Sequence, residues 1–545
     1  MTSETRSLHG TPAAPGLARG PVYVLDAFEE APVAGTTPRT PARTAAGETR
    51  SLREALSRAC AELTRLQSTA ADADARAILE FQLAMLEDES LAEPAFEAID
   101  RGVPVNGAWL TTLDAQIADY EDSADEYFRA RASDLRDIRD RVARALTGTV
   151  LAAIPAGSIV VAADLLPSHF LEIRWEGGGI ALFEGSSSSH LATLARARGV
   201  PMIVQMARAA FAPNDEALLD ADAGLLIAAP DEEAVRLFDE RFGTAQRTAA
   251  TEQTFLTAPA ATANGERVQV LLNVAQRSEL DAISPAHCDG IGVVRTELML
   301  DSLADLRDEE RQYLAYREIV DWAQGKPVTF RTLDAGGDKP IEGYTLPDES
   351  NPYLGVRGVR LSLLHPEIAT VQLRAFARVA VLGPVKIMVP MVTRPSEMDR
   401  MRELLTAAVR ALRADGAACA LPELGMMVEV PAAALTLDLF AADFLSIGSN
   451  DLIAYLTACG RDSDRLAALA DPLAPAVLRT LEMIVRAARA RTIDVSLCGD
   501  MASDERYLRP LLETGLRSFS VAPAALARVK ATISTVGELP APLPA

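Results

Sequence analysis

Beyond Glu266, eight short apolar runs recur with helix-like segments between them, and this repeat constrains the fold more than any other feature of the chain. The runs are Val268–Val274, Ile291–Arg295, Val328–Leu333, Lys386–Val392, Leu424–Val430, Phe444–Ile447, Val495–Cys498 and Phe519–Val521. Strands that alternate with helices build a parallel sheet, because a helical crossover returns the chain to start the next strand in the same direction. Eight such units predict a closed (β/α)8 TIM barrel, in which functional side chains stand just after the strands, on one rim.

The sequence before the barrel is of a different kind. Ser51 and Glu54 have the spacing of a capping box, which predicts a helix starting there, and Leu52, Leu56, Ala59, Leu63 and Leu66 lie along one stripe of it. Two more helices are expected, over Ala75–Leu91 and from Trp109 to Leu146, so residues 45–147 read as a helical bundle. Strand-like sequence flanks the bundle at Gly20–Leu25 and Ser158–Ala162, as if one α/β domain were interrupted by it. Further short apolar runs at Ile180–Phe183, Met202–Val204 and Gly224–Ala228 continue that α/β domain. A stretch rich in Ala, Thr and Gln, Thr244–Gly265, reads as a linker. The expected division is 1–44 and 148–232 for the interrupted domain, 45–147 for the bundle, 233–264 for the linker and 265–545 for the barrel.

Charge and cysteine usage exclude several functions. A formal net charge of −23 repels nucleic acid and anionic membrane surfaces, so an anionic small substrate needs a local basic pocket. The five cysteines are scattered without a C-x-x-C pair, which argues against a disulfide framework or a zinc site and for a reducing compartment. The opening MTSETRSLHG lacks the features of a signal peptide. The most apolar run, Val150–Ala163, contains Pro155 and Gly157 and is too short to span a bilayer. A cytoplasmic protein without membrane insertion is expected.

Polar residues follow the barrel runs in a regular way: Arg295, Thr296 and Glu297; Arg331 and Asp334; Glu429; Asn450 and Asp451; Cys498. Each alone reads as half of a surface ion pair, and Cys498 alone as a small buried apolar residue. Their coincidence across five strands is more informative. Converging arginines hold phosphate and carboxylate through forked hydrogen bonds. Glu429 and Asp451 suit Mg2+, which prefers oxygen ligands, and phosphoryl chemistry follows. Among five histidines, His190 ends GSSSSH and opens LATLARARGVP, a loop entering a helix. Helix N-terminal N–H groups and Ser hydroxyls there can serve a phosphate, while the helix dipole disfavours protonated imidazole. The plainer alternative is a Gly/Ser linker.

The runs GIGVVRTE (290–297), FRTLDAGGDKP (330–340), NPYLGVRGVR (351–360), MMVEVPAA (426–433), SIGSNDL (446–452) and LCGD (497–500) resemble the enzyme I family, the phosphoenolpyruvate-protein phosphotransferases of the bacterial sugar phosphotransferase system. The resemblance extends from about Gly10 to Ile533. It implies that Arg295, Arg331 and Arg357 hold the phosphate of phosphoenolpyruvate, that Asn450 and Arg461 help hold the substrate, and that Glu429 and Asp451 bind Mg2+. Cys498 would protonate the enolate of departing pyruvate. H-x-x-x-x-A-R followed by G-V-P makes His190 the phosphoryl carrier, in a domain that swings between the barrel and a carrier protein. The bundle would dock that carrier, HPr, with ILEFQLAMLEDESL (78–91) as its second helix, and the barrel would form a homodimer.

Four departures from the family pattern stand out: Gly185 and four serines replace Gly-Gly-Arg-Thr-Ser before His190, Leu166 replaces a Thr, Asp500 a Glu, and Gln82 a His. The positions of Ser187 and Leu166 motivate an alternative, a regulatory homologue that binds phosphoenolpyruvate with weak transfer. ATP-using relatives need a large nucleotide domain, and the helical insertion has no Gly-rich phosphate loop.

Overall fold

The structure, a computed structural model, describes residues 5–25, 44–69, 73–121, 126–149, 154–186, 189–211, 215–300, 302–337, 339–346, 349–460, 466 and 469–539. The chain divides into two compact units, Met1–Ala245 and Gln246–Ala545.

The first unit holds an eight-stranded sheet: β1 (Arg6–His9), β2 (Thr11–Ala14), β3 (Leu17–Leu25), β4 (Ile159–Ala162), β5 (Gly179–Leu182), β6 (Met202–Val204), β7 (Glu216–Asp220) and β8 (Leu225–Ala228), in the order β1-β8-β7-β3-β4-β5-β6-β2. β3 pairs with β4 in parallel from Val22↔Ile159 to Leu25↔Ala162, so the strands on either side of the helical insertion lie side by side. β4 and β5 are buried at every position, and they read in the sequence as continuous apolar runs.

Among its described residues the insertion forms five helices where three were expected: α1 (Ala45–Thr69), α2 (Ala73–Glu87), α3 (Glu89–Asp100), α4 (Val105–Glu121) and α5 (Glu126–Thr147). α1 starts six residues before Ser51, whose hydroxyl instead donates back to Gly47 O (3.1 Å), a mid-helix bond that competes with a capping role. Asp88 ends the second predicted helix by capping the next one, its carboxylate accepting from Ser90 N (2.9 Å). The expected long helix from Trp109 is divided into α4 and α5. The apolar stripe holds: Leu52, Ala59, Leu63 and Leu66 are buried with Trp109, Leu113, Leu135, Ile138 and Val142.

Gln82, expected on a docking helix, points inward. It is fully buried and donates to Asp137 (3.2 Å), which also accepts from the hydroxyl (2.6 Å) and backbone N–H (3.0 Å) of Ser168. Ser168 lies in α6 (Pro167–Glu172), so this buried cluster joins the bundle to the α/β sheet region.

Nearby Asp134 is fully buried, and one of its carboxylate oxygens has no hydrogen-bond partner. Burial, partly opposed by Arg131, pushes its carboxyl from 3.8 up to about 6. The folded state therefore binds this proton more tightly than the unfolded chain does. The associated stability is fully present below the unfolded pKa and is lost as pH rises through the folded one. Asp134→Asn is expected to stabilise the first unit at pH 7.5 by up to about 3 kcal/mol, the full cost of such a shift. Denaturant titrations of variant and parent should converge at low pH; a gain that does not depend on pH would assign the effect elsewhere.

α7 (His190–Arg198) follows β5, and α8 (Glu232–Gln253) carries the chain from one unit to the next. Most of the expected linker is thus helical up to Gln253.

In the second unit β9 (Gln269–Val274), β10 (Ile291–Arg295), β11 (Val328–Arg331), β12 (Val385–Val389), β13 (Glu423–Val428), β14 (Phe444–Gly448), β15 (Asp494–Cys498) and β16 (Ser518–Val521) form a closed parallel barrel. Closure runs through β16 and β9, from Ser518↔Gln269 to Val521↔Leu272. Each of the eight predicted runs overlaps one strand, with ends that differ by at most three residues. Among the described residues no helix is long and apolar enough to cross a membrane.

Candidate active site

The strands of the barrel end on one rim around a cavity of about 260 Å³. β10 and β11 end on Arg295 and Arg331, Glu429 follows β13, Asn450 and Asp451 follow β14, and β15 ends on Cys498. Arg357 arrives from the segment after β11. All seven line the cavity. Arg461 lies outside the described residues.

Ion pairing organises the cations. Asp334, one of the rim residues singled out from sequence, bridges Arg331 Nη1 (3.0 Å) and Arg357 Nη2 (2.8 Å), and Arg357 also reaches Asp451 (3.4 Å). Burial alone would raise the Asp334 carboxyl, but the two guanidiniums outweigh it and hold it down at about 2. Glu297 pairs with Arg331 and with Lys339 Nζ (3.0 Å). Arg295 pairs with no carboxylate among the described residues, which leaves its guanidinium available to an incoming anion.

Glu429 is in the opposite situation. Burial first, then the neighbouring Asp451 and Asp334, push its carboxyl up to about 8, although Arg331 and a hydrogen bond from Met391 N (2.6 Å) act against them. Gly448 leaves the room this carboxylate occupies, since a Cβ there would sit 2.7 Å from Glu429 Oε2.

Asn450 is fixed by Asp500, which stands in the position where the resemblance leads one to expect Glu. Its Oδ1 accepts from Asp500 N (3.0 Å) and its Nδ2 donates to Asp500 Oδ2 (3.1 Å), so one amide N–H remains for the cavity. The turn that allows this needs Gly499, at φ +100°, where a Cβ would collide with Ser449 Oγ and Asn450 Oδ1. Ser449 Oγ donates to Cys498 O (2.7 Å) and ties the two strand ends together.

The cavity also includes Lys339, Asn273 and Ser449, which sequence reasoning gave no role. Lys339 lay within the quoted run FRTLDAGGDKP, so a signal was present. Asn273 sits inside an apolar strand and carried none.

His190 belongs to the first unit and opens α7; its side chain lies outside the described residues, as do Ser187 and Ser188. Ser189 caps this helix by accepting from Ala192 N (3.2 Å), and Gly199 ends it at φ 64°. One serine of the run is therefore engaged as a cap. Leu166, preceding α6, offers no side-chain hydrogen bond.

Three family models cover most of the chain: PEP-utilising enzyme, N-terminal, over residues 9–131; PEP-utilising enzyme, mobile domain, over 154–224; and PEP-utilising enzyme, PEP-binding domain, over 249–537. A phosphoenolpyruvate-protein phosphotransferase of Cupriavidus necator is 37% identical across 97% of this chain and 94% of its own length. The chain belongs to the phosphoenolpyruvate-protein phosphotransferase family. The phosphotransferases of Geobacillus stearothermophilus, 32% identical over 98% of this chain and 94% of their own, and of Haloferax volcanii, 34% over 84% and 81%, are also similar. Within this phosphotransferase, the cavity lies wholly in the segment matched by the PEP-binding model, and His190 in the segment matched by the mobile-domain model.

Proposed function

We propose that this chain takes the phosphoryl group of phosphoenolpyruvate onto His190, releases pyruvate, and passes the group to a histidine of an HPr-like carrier of the sugar phosphotransferase system. The observation that carries the reading is the rim cavity, where Arg295, Arg331, Lys339 and Arg357 face the same space as Glu429 and Asp451. Arg295, Arg331 and Arg357 hold the phosphoryl oxygens, and Asn450 and Arg461 help hold the substrate. The bond from phosphorus to the enol oxygen breaks, a bond to an imidazole nitrogen of His190 forms, and Cys498 delivers a proton to the enolate carbon.

Glu429 and Asp451 fit a divalent cation by donor chemistry, both being carboxylates on one cavity. Four carboxylates, Asp334, Glu429, Asp451 and Asp500, line the same cavity as the four cations, and a polyanionic substrate set among them calls for a further positive charge. Mg2+ bound by two carboxylates would complete its shell with water and substrate oxygens. When bound, Mg2+ would neutralise charge on the phosphoryl oxygens.

The carrier docks on the helical bundle, where Glu80, Glu87 and Asp88 are exposed and would steer a basic partner. The reading includes a cytoplasmic homodimer associated through the barrel unit. Its test is intact mass after mixing with phosphoenolpyruvate and Mg2+. One acid-labile phosphoryl adduct per chain is expected; binding of phosphoenolpyruvate without any adduct would favour the regulatory homologue instead.

A further inference from the structure

Behind the rim lies a buried hydrogen-bond relay whose side chains are not among those lining the cavity. Gln372, on the helix Pro366–Val379, accepts from Leu333 N (3.0 Å) and donates to Thr296 Oγ1 and to Tyr316 OH (3.1 Å each). Thr296 in turn donates to Arg331 O (2.8 Å), and Tyr316 donates to Gln312 Oε1 (3.2 Å). The Gln312 amide donates onward to the carbonyls of Asp305 (3.1 Å) and Leu306 (3.0 Å), on the helix Leu303–Arg307. Gln372, Thr296, Tyr316 and Gln312 are all buried, and none has an orphaned side-chain atom.

The direction of every bond is determined. Leu333 N can only donate, so Gln372 must present its oxygen there and its NH2 to the two hydroxyls. Each hydroxyl oxygen, accepting a hydrogen bond from Gln372, is left to donate its own hydrogen, Thr296 to Arg331 O and Tyr316 to Gln312. One side chain thereby holds the ends of two adjacent strands. Thr296 stands between Arg295 and Glu297, and the bonded backbone at Arg331 and Leu333 leads into Asp334.

We infer that Gln372 is a positioning residue for the phosphate side of the cavity, acting through Thr296 and the Arg331–Leu333 backbone. This rests on the phosphoenolpyruvate reading and deepens it. The relay fixes the strand ends that carry Arg295 and Arg331; Asn450 and Asp451, on the far strands, are outside it. Its loss should weaken a ligand that carries a phosphoryl group more than one that does not.

The test uses the full chain with His190→Ala, so that phosphoenolpyruvate binds without turnover, and calorimetry with Mg2+ against two ligands: phosphoenolpyruvate and oxalate, a dicarboxylate without phosphorus. Gln372→Met keeps the length and apolar volume and removes all three bonds. It is expected to raise the phosphoenolpyruvate Kd about tenfold, the equivalent of one to two lost hydrogen bonds, with oxalate changed by less than about twofold. Thr296→Val removes only the hydroxyl that reaches Arg331 and carries the test if the methionine variant does not fold; about threefold on phosphoenolpyruvate alone is expected. Equal weakening of both ligands, or a lowered melting temperature with both affinities intact, would reduce Gln372 to a structural residue and overturn the assignment. A parent that binds oxalate but not phosphoenolpyruvate would overturn the substrate reading itself.

Discussion

Replacing His190 with alanine is expected to abolish phosphoryl uptake from phosphoenolpyruvate while leaving phosphoenolpyruvate binding at the barrel intact. The acceptor must be an imidazole that is neutral, nucleophilic and able to reach a ligand on the barrel rim. Position 190 meets the local requirement, as the first residue of a helix whose N-terminal dipole favours the phosphorylated product over protonated imidazole. The other histidines are poorer candidates. His169 is buried and its imidazole Nε2 has no partner; burial and the nearby Arg144 push its pKa down. It would be neutral but shielded from a ligand on another domain. His9 lies exposed on the short β1, His287 sits in a 3-10 turn, and His365 precedes a helix of the barrel unit. The decisive pair of measurements is adduct mass and phosphoenolpyruvate affinity on the same variant. An adduct that persists and maps to His169 would move the carrier role there, and loss of binding together with the adduct would show that the substitution had disturbed the fold.

The barrel was legible because its strands are buried on both faces, so each reads as a short apolar run without alternation, and helices punctuate them. The same logic missed β1, β2 and β7. RSLH and TPAA are four residues each and partly exposed, and EALLD begins on an exposed Glu, so none makes a run that stands out. Four of the five helices fell largely within the predicted stretches, without their breaks, while α3 was missed beyond Leu91. Between Leu86 and Leu91 the apolar spacing passes through Asp88 almost in phase, and only the capping geometry of that aspartate separates α2 from α3. From sequence Gln82 stood out only as replacing a His of the family; its inward orientation depends on Asp137 and Ser168, which are distant in sequence.

The site was legible to a different degree. Strand-end position identified Arg295, Arg331, Asp334, Glu429 and Asp451, since a barrel brings all strand ends to one rim, whereas Arg357 came only from the family resemblance. Pairing was not readable in the same way. That Asp334 bridges Arg331 and Arg357, or that Glu297 holds Arg331 and Lys339, is a consequence of three-dimensional proximity, and it changes the chemistry. Two of the three arginines are pre-positioned by carboxylates before any substrate arrives, which lowers the cost of ordering them at the expense of some of their attraction for an anion. Arg295 has no carboxylate partner among the described residues. Among the described residues the site is thus a preorganised arginine pair with Arg295 outside their ion pairs, a distinction that motif matching alone does not make.

Removing the thiol of Cys498 is expected to slow pyruvate formation by roughly 10²- to 10⁴-fold, the usual contribution of a positioned general acid, with little change in phosphoenolpyruvate affinity. The reasoning starts from burial. Cys498 is 6% exposed at the end of β15, its Sγ donates to Ile447 O (3.4 Å), and Ser446 Oγ donates to it (3.7 Å). Burial pushes the thiol pKa up, the Ser446 hydrogen bond opposing only in part, so the group stays protonated through neutral pH. That suits a donor rather than a nucleophile, which would need a depressed pKa. Once the phosphoryl group has left, the enolate requires one proton on carbon, and a thiol lining the cavity can give it from a single face. The Cys498→Ala variant should therefore form the phosphorylated protein but release enolate that is protonated by solvent. With phosphoenolpyruvate labelled stereospecifically at its methylene carbon and the reaction run in D2O, the parent should give a pyruvate methyl of one handedness and the variant a racemic one. A stereospecific product from the alanine variant would remove Cys498 from the proton path and direct attention to another lining group.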